Sequence, residues 1–331
     1  MGAIQGMAAG RPQRRVAATR RLAGSQSSGL LLANVVLFVA LSIGAPEFFT
    51  TSNFQATATL VAYTGVMSAV GTLVLIAGGL DLSVGAVAVL AGQGCAIALD
   101  NGWSTGAALG FALLVGAGAG LVNAGFIVGL GINPLIATIG TAFVMRGLAL
   151  AWTDGNSTII ESQAILDLGA RTWLGVPEAT YVMLAVFAAV GFVLRFTQLG
   201  SNFLAAGSNP IATRRAGIAV WRTLTTVYLL SSISAAFAGV MLIGFQGASI
   251  PYAAVGIELT VLSAVVLGGT GLVGGSGSIV GTLMGVILLA IVASGLAALS
   301  AESYWALIVT GVVLIAAMAI DDVRQRRSAV R

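Results

Sequence analysis

The sequence predicts an all-α, polytopic membrane helix bundle with about ten transmembrane spans, one of them short or re-entrant. Of the 331 residues, 58% are hydrophobic and 8% are charged, and the apolar runs extend over most of the chain, as is typical of a membrane protein. The 45 glycines lie inside these runs without a three-residue period. They therefore indicate close helix packing rather than collagen or a flexible linker.

Several kinds of chemistry are excluded by residues that the chain lacks. It contains no histidine, one cysteine (Cys95), and fifteen basic residues that are all arginine. A Cys/His metal site, a His-based triad and a Schiff-base lysine are therefore excluded, and so is a Walker A loop, which needs a lysine. We expect no cofactor, no metal and no enzymatic activity, and uphill transport would need ATP hydrolysis in another chain.

The first segment, residues 1–28, is a basic tail that we interpret as cytoplasmic. It contains arginines and no acid, and a full apolar span follows without a convincing cleavage site for a signal peptide. Nucleic-acid binding is the alternative, but positive charge before a span is more often a topology signal. The arginines of this tail are Arg11, Arg14, Arg15, Arg20 and Arg21.

Residues 29–322 form the predicted transmembrane domain, and 323–331 a cytoplasmic C-terminal tail. Counting about 20 apolar residues per span, we predict spans at 29–45, 56–78, 82–99, 104–128, 134–152, 178–196, 223–245, 257–268, 277–298 and 303–320. With a cytoplasmic N-terminus, this number places both termini and residues 197–222 on the inside. The arginines agree, because all but Arg146 and Arg171 fall inside or at the inner boundary.

The opposite side is predicted to be acidic, and its largest loop is residues 153–177. This loop is long enough to dock a soluble protein, although a connector with a short interfacial helix fits its length almost as well. The acids on this side are Glu47, Asp100, Asp154, Glu161, Asp167, Glu178 and Glu302.

Residues 77–85 (AGGLDLSVG) form the first glycine-rich break between spans. The paired glycines Gly78 and Gly79 allow the backbone to leave the helix, which is tolerated at membrane depth only against protein or water. Asp81 and Ser83 follow, and they predict either a cap for the next span or a contact with the transported substrate.

Residues 267–277 (LGGTGLVGGSG) form a second break, which begins with Gly268 and Gly269. The stretch contains a G-x-G-x-x-G pattern, but it has no flanking strands, no βαβ unit and no acid about twenty residues on, so dinucleotide binding is rejected. A re-entrant or half-crossing helix accounts better for the short span before it.

Polar side chains within the spans could line a path or bond between helices. Arg146 lies about two-thirds along its span, where it could snorkel, pair with Asp154, or bind substrate. Asn123 belongs to a group of uncharged polar residues for which a polar path and interhelical hydrogen bonding are equally good explanations. The others are Gln93, Gln246, Ser231, Ser232 and Ser234.

Residues 198–222 are the one long break in the apolar sequence that carries a cluster of positive charge. Ser208 or Asn209 can cap a helix that starts at Pro210, covers residues 211–216 and exits at Gly217. Arg214 and Arg215 lie on this helix. It could be a lever for a soluble partner or an ordinary loop anchored by charge.

Four stretches resemble the permease subunits of bacterial ABC importers for ribose, xylose, arabinose and related sugars. They are AVGTLVLIAGGLDLSVGA, PLIATIGTAFVMRGLAL, AAGSNPIATRRAGI and ELTVLSAVVLGGTGLVGGSGSIVGTLMG, and the match runs from about residue 46 to residue 322. The GGLDLSVG block and the VLGGT block are together quite specific. Thr260 departs from the pattern, since many relatives have an acid there.

The resemblance implies a homodimeric, multi-pass permease in the lipid of a bacterial inner membrane. It also implies a cytoplasmic ABC ATPase, often with two nucleotide-binding domains in one chain, and a periplasmic sugar-binding protein. The segment 198–222 would then couple to the ATPase through Gly207, Asn209, Ala212, Arg214, Arg215 and Gly217. The path or its gate would involve Gly78, Gly79, Asp81, Ser83, Asn123, Arg146, Gly268 and Gly269.

Two other classes compete with this reading. A branched-chain amino-acid ABC permease shares the layout but lacks the GGLDLSVG block in this form. A secondary carrier would need ion-coupling acids within its spans, whereas Asp81 and Glu258, the acids nearest the core, are predicted at span boundaries. The scarcity of charge in the spans favours a neutral sugar as cargo.

Overall fold

The computed structural model describes the backbone of residues 11–302, 304–305, 308–316 and 318–319, with side chains from residue 28 onward. The described part is almost entirely helical, which confirms the predicted all-α bundle. The C-terminal tail 323–331 and most side chains of the N-terminal tail lie outside the described residues.

Twelve α-helices follow in chain order among the described elements. They are α1 (Arg11–Gly44), α2 (Thr51–Ile76), α3 (Val84–Asp100), α4 (Thr105–Ala124), α5 (Pro134–Trp152), α6 (Gln163–Ala170), α7 (Glu178–Phe196), α8 (Gln198–Ser208), α9 (Pro210–Arg215), α10 (Val220–Gln246), α11 (Ile257–Leu267) and α12 (Ile279–Ala298). A 3₁₀ turn, Pro46–Phe49, precedes α2, and a π-helical turn, Gly125–Gly129, ends α4.

Helices α2 and α10 form the centre of the bundle. In α2, 89% of the most apolar window is buried, against 22% in the peripheral helix α7. Close approach of backbones makes this packing possible, since a Cβ on Gly239 of α10 would collide with the carbonyl of Ala88 in α3. Small residues at such crossings let helices pack without a hydrophobic driving force in lipid.

Glycines in the apolar runs, which predict close helix packing, lie at helix contacts in some positions and not in others. Gly116 and Gly120 of α4 contact the backbone of α10, and Gly281 and Gly285 of α12 contact α11. In contrast, a Cβ on Gly118 would meet open space, and the same is true of Gly125 and Gly129. The number of glycines in the apolar runs therefore overestimates the number of close helix–helix contacts, because only one face of a helix meets a given neighbour.

Six helices among the described residues, α2, α4, α5, α7, α10 and α12, are long and apolar enough to cross a membrane. Shorter apolar helices occupy Ser28–Gly44, Val84–Asp100 and Ile257–Leu267, where spans were also expected. The segment 303–320 is only partly described. The polytopic bundle is thus established, whereas the number of ten spans stays a prediction.

Helix α11 is short, as a re-entrant or half-crossing segment would be, and whether it crosses the membrane stays a prediction. Its 11 residues extend about 16 Å, roughly half of a hydrocarbon core of about 30 Å. Gly256, with φ +85°, opens the helix, and Gly268 ends it.

The loop 153–177 contains a short helix, α6, as expected if it is a connector with a short helix. Gly169 of α6 lies against the backbone of Gly244 and Phe245 at the end of α10. The two-residue strand β1 (Thr158–Ile159) of this loop pairs with β4 (Ala248–Ser249), which follows α10, whereas β2 (Thr172–Trp173) and β3 (Val176–Pro177) pair with each other within the loop. The bundle therefore has two distinct ends, here called the 153–177 end and the 198–222 end.

Candidate translocation and coupling site

The first glycine break holds a carboxylate inside the bundle. Asp81 Oδ1 accepts hydrogen bonds from the Ser83 amide (2.9 Å) and the Ser83 hydroxyl (2.6 Å), and Oδ2 accepts one from Ser231 (2.7 Å). Ser231 lies about 16 Å along α10 from its first residue. Asp81 lies in the non-helical residues between α2 and α3, as predicted, and its hydrogen bond to Ser231 places its carboxylate beside the middle part of α10.

The capping interpretation of Asp81 is confirmed in a modified form. Ser83 occupies the N-cap position of α3 but its side chain makes no cap bond; instead the carboxylate of Asp81 accepts from the Ser83 backbone. An ionised acceptor at a helix N-terminus is favourable both as a hydrogen bond and in the field of the helix dipole.

A chain of buried hydrogen bonds continues from Ser83 to α4 and α5. Asn123 Nδ2 donates to Ser83 Oγ (2.8 Å), and Thr141 Oγ1 donates to Asn123 Oδ1 (2.6 Å). Asn123 and Ser83 are fully buried. The network joins α3, α4, α5 and α10, so for Asn123 the structure supports interhelical bonding, and buried groups of this kind are costly to leave unpaired.

Arg146 does not pair with Asp154. Its Nη2 lies 3.3 Å from Glu258 Oε2 and donates to the carbonyl of Ala254 (3.2 Å), and about one-fifth of each side chain in the ion pair is exposed. Spacing along α5 pointed to Asp154, but Asp154 lies beyond the helix with φ +50°. The real partner comes from the first turn of α11, far away in sequence.

The N-termini of α3 and α11 meet beside this ion pair. A Cβ on Gly85 of α3 would contact the carboxylate of Glu258, the side chain of Ile257 and the carbonyl of Ala254. Two helix N-termini thus direct their partial positive charge toward Glu258. Glu258 lies in the first turn of α11, at the boundary where the sequence places it, and about one-fifth of its side chain is exposed.

At the 198–222 end, the short helix predicted at residues 211–216 is confirmed as α9. Asn209, rather than Ser208, caps it by accepting from the Ala212 amide (2.9 Å), and Gly217 has φ +83° at its exit. Arg214 and Arg215 lie in the last turn, where positive charge suits the helix dipole. Both are exposed.

Helix α8 ends against both glycine breaks. Gly275 donates its amide to the carbonyl of Ile76 (2.8 Å), and Ser208 Oγ donates to the carbonyl of Gly275 (3.3 Å). A Cβ on Gly207 would collide with the carbonyl of Ile76 and the amide of Gly275, and one on Gly274 would meet Gly78. We call this contact of residues 76–78, 207–208 and 274–275 the glycine junction.

The remaining glycines of the breaks have separate roles. Gly79 donates its amide to the carbonyl of Val74 at the end of α2. Gly268 packs against Gly281 and Thr282 at the start of α12, and Gly269 turns the chain with φ +89°. Of the predicted site residues, the structure therefore joins Asp81, Ser83 and Asn123 in one network and places the others around the two breaks.

The other polar residues do not form one continuous path. Gln93 bonds to Ser249 (2.8 Å) and Thr158 (3.3 Å) near the 153–177 end. Ser234 donates to a carbonyl of its own helix, and the buried hydroxyl of Ser232 has no partner among the described residues. Gln246 is exposed at the end of α10.

Sequence reasoning missed Tyr228 and Thr141. The Tyr228 hydroxyl accepts from the Leu80 amide (3.3 Å) and is fully buried, so it supports the chain just before Asp81. In the sequence, Tyr228 and Thr141 are single residues within long apolar runs. No pattern shows which residues of such a run face the glycine-rich break.

Comparison with known proteins places the chain in a family. A family model described as "Branched-chain amino acid transport system / permease component" matches residues 53–318. The L-arabinose ABC transporter permease protein AraH of Azospirillum brasilense is 34% identical over 303 residues, covering 91% of this chain and 89% of the relative. The ribose import permease protein RbsC of Escherichia coli K12 is 35% identical over 300 residues, covering 89% and 93%.

A further relative is the L-arabinose transport system permease protein AraH of E. coli K12, which is 34% identical over 306 residues, with coverage of 90% and 91%. No solved structure matches. These matches extend over nearly the whole of both chains, so the protein is a transport subunit rather than an enzyme, and it belongs to the family of multi-pass ABC transporter permeases described as branched-chain amino acid transport system permease components.

Proposed function

We propose that the chain is the permease subunit of an importer for a neutral monosaccharide. A periplasmic binding protein would deliver the sugar, a second copy of the chain would complete the pore, and a cytoplasmic ATPase would drive transport. The names of the similar permeases refer to arabinose and ribose, which supports a pentose or a related sugar. We further propose ten spans with both termini in the cytoplasm.

The glycine junction is the observation that carries the coupling proposal. The segment 198–222 is bonded through Ser208 to residue 275 and packed through Gly207 against residue 76. Interiors packed this closely transmit displacement instead of absorbing it. We therefore expect a displacement of α9 to reach both glycine-rich breaks. The first break leads to Asp81 and α3, and the second follows α11.

The exposed arginines of α9 suit docking to an acidic cleft of the ATPase. Arg215→Glu should weaken ATPase retention by placing like charge against that cleft, whereas Gly207→Ala should keep docking and lose transport, because the added methyl group has no room. Arg222→Glu is the matched control, since Arg222 lies at the same end on the first turn of α10.

The test measures sugar uptake and co-purification of the ATPase at equal permease levels in the membrane. Wild-type uptake and ATPase retention in both Arg215→Glu and Gly207→Ala would refute the coupling role. An equal loss of retention in Arg222→Glu would assign the effect to general charge at this end.

The family's description favours a second candidate substrate, a branched-chain amino acid. The two candidates separate in one measurement, a thermal-shift screen of the cognate binding protein against ribose, arabinose, xylose, leucine and valine. Stabilisation by an amino acid and by no sugar would replace the sugar proposal.

We also propose which residues form or position the translocation path: Asp81, Ser83, Asn123 and Arg146. The glycines of the two breaks would allow the path to open: Gly78, Gly79, Gly268 and Gly269. The support is the depth of the hydrogen-bonded network and the meeting of two helix N-termini there, an arrangement that transporters use for polar groups within the membrane.

A further inference from the structure

A groove of about 580 Å³ opens on the flank of the bundle between α1, α2, α7 and α12. Val61 and Met183, which are almost fully buried, lie at its inner side. Phe49, Phe54 and Leu184 line it and are 70%, 53% and 45% exposed. The groove is therefore open to the surroundings of the bundle and lined mainly by hydrocarbon.

The groove lies along helices that are able to span a membrane. It follows the first three turns of α2, the first turns of α7, and α12 from Leu283 to Ser294, and all three helices are apolar enough to span. Farther along α7, Phe192 is 59% exposed, so this helix presents apolar side chains to the surroundings. Lipid, and not water, is the solvent of such a face.

One end of the groove is polar. Thr50, Asn53 and Ser294 line that end, and the Asn53 amide donates to Ser294 Oγ (2.9 Å). The rings of Trp173 and Tyr181, 5.4 Å apart, lie at the same end of α7. Trp and Tyr concentrate at the level of lipid headgroups, so the occupant must be apolar along the groove and polar at this end.

A buried hydroxyl in the groove wall has no hydrogen-bond partner. Thr180 Oγ1, which belongs to a lining residue, is inaccessible and finds no acceptor among the described residues. A helical threonine can usually bond to the carbonyl one turn back, as Thr59 does with Gln55. If the Thr180 side chain turns to another rotamer that faces the groove, an ester carbonyl of an occupant would supply the missing acceptor.

The volume matches one acyl chain. If a methylene group takes roughly the 30 Å³ of a water molecule in the liquid, a groove of about 580 Å³ holds about nineteen of them. We propose that this groove binds one acyl chain of a glycerophospholipid, with the ester region near Thr180 and the headgroup at the polar end.

The test counts phospholipid retained by the full-length protein. The permease is purified in mild detergent with palmitoyl-oleoyl-phosphatidylcholine, and native mass spectrometry gives the number of lipids per chain as detergent is raised. Ala58→Phe and Ala290→Phe fill the groove from two different helices. Leu114→Phe is the control, since Leu114 is 70% exposed on α4 and outside the groove.

We expect wild type and Leu114→Phe to keep one lipid per chain at concentrations where both filled variants have lost it, a difference of at least tenfold. Thr180→Val, which keeps the shape and removes the hydroxyl, should weaken retention about fivefold. Retention of one lipid per chain by both filled variants, at the detergent concentrations where wild type retains it, would overturn the proposal. A changed oligomeric state of Ala58→Phe would assign the groove to a second copy of the chain.

Discussion

We predict that removing either partner of the Arg146–Glu258 ion pair lowers the stability of the protein, and that the two losses differ in size. Breaking a buried pair by removing one partner costs about 3–5 kcal/mol, but each side chain here is about one-fifth exposed, 20% and 21%. Solvent screening lowers the expected cost to about 2 kcal/mol. For a chain of 331 residues, a loss of that size lowers the unfolding temperature by about 3 °C.

The two single substitutions should not be equivalent. Glu258→Gln leaves Arg146 beside the N-termini of α3 and α11, whose partial positive charge repels it. Arg146→Gln leaves Glu258 at the same place, where that charge is favourable. Glu258→Gln should therefore be the more destabilising change, and the double variant should be more stable than Glu258→Gln alone.

The assay is thermal unfolding of the purified permease in detergent, read by fluorescence-detected size exclusion, with all four members of the cycle. Glu178→Gln is the control, because it breaks the exposed Arg171–Glu178 pair (64% and 36% exposed), whose contribution should be under about 1 kcal/mol. Additive effects, or an equal loss in the two singles, would refute the reasoning.

The other predictions concern the network, the packing and the topology. Thr141→Val should cost about 1–3 kcal/mol of stability, because it leaves Asn123 Oδ1 buried without its donor; retention of the wild-type unfolding temperature would contradict this. Gly239→Val should abolish folded protein on size exclusion, since its Cβ has no space against α3. A cysteine at Ser328 should react with an impermeant reagent only from the cytoplasmic side and one at Ser162 only from outside, and the reverse pattern would contradict the ten-span topology.

Local features were predictable from the sequence because their causes are local. The α9 helix follows from a capping Asn209, a proline at the first position and a glycine exit, all within one decapeptide. The apolar runs predict the positions of the long helices in the same way. The predicted span 257–268 is shorter than a full crossing needs, and α11 has 11 residues.

Contacts between distant segments were not predictable. The sequence contains both glycine breaks and the segment 198–222, but it does not show that Gly275 bonds to Ile76 or that Gly207 lies between them. The partner of Arg146 was misjudged for the same reason. Glu258 is 112 positions away, whereas Asp154 is near in sequence and far from the helix face that Arg146 occupies.

The two acids at the starts of α3 and α11 bear on the choice of cargo. Asp81 accepts three hydrogen bonds from serine side chains and backbone, and Glu258 is compensated by Arg146. A carboxylate that couples transport to an ion must release and rebind its partner in each cycle, so it needs a free coordination site. Here Asp81 holds the backbone at the N-terminus of α3, and Glu258 is paired with Arg146, which also bonds to the carbonyl of Ala254 before α11. The described part of the bundle thus offers a passing solute polar groups whose charges are already satisfied, which suits the neutral, hydrogen-bonding cargo that we propose.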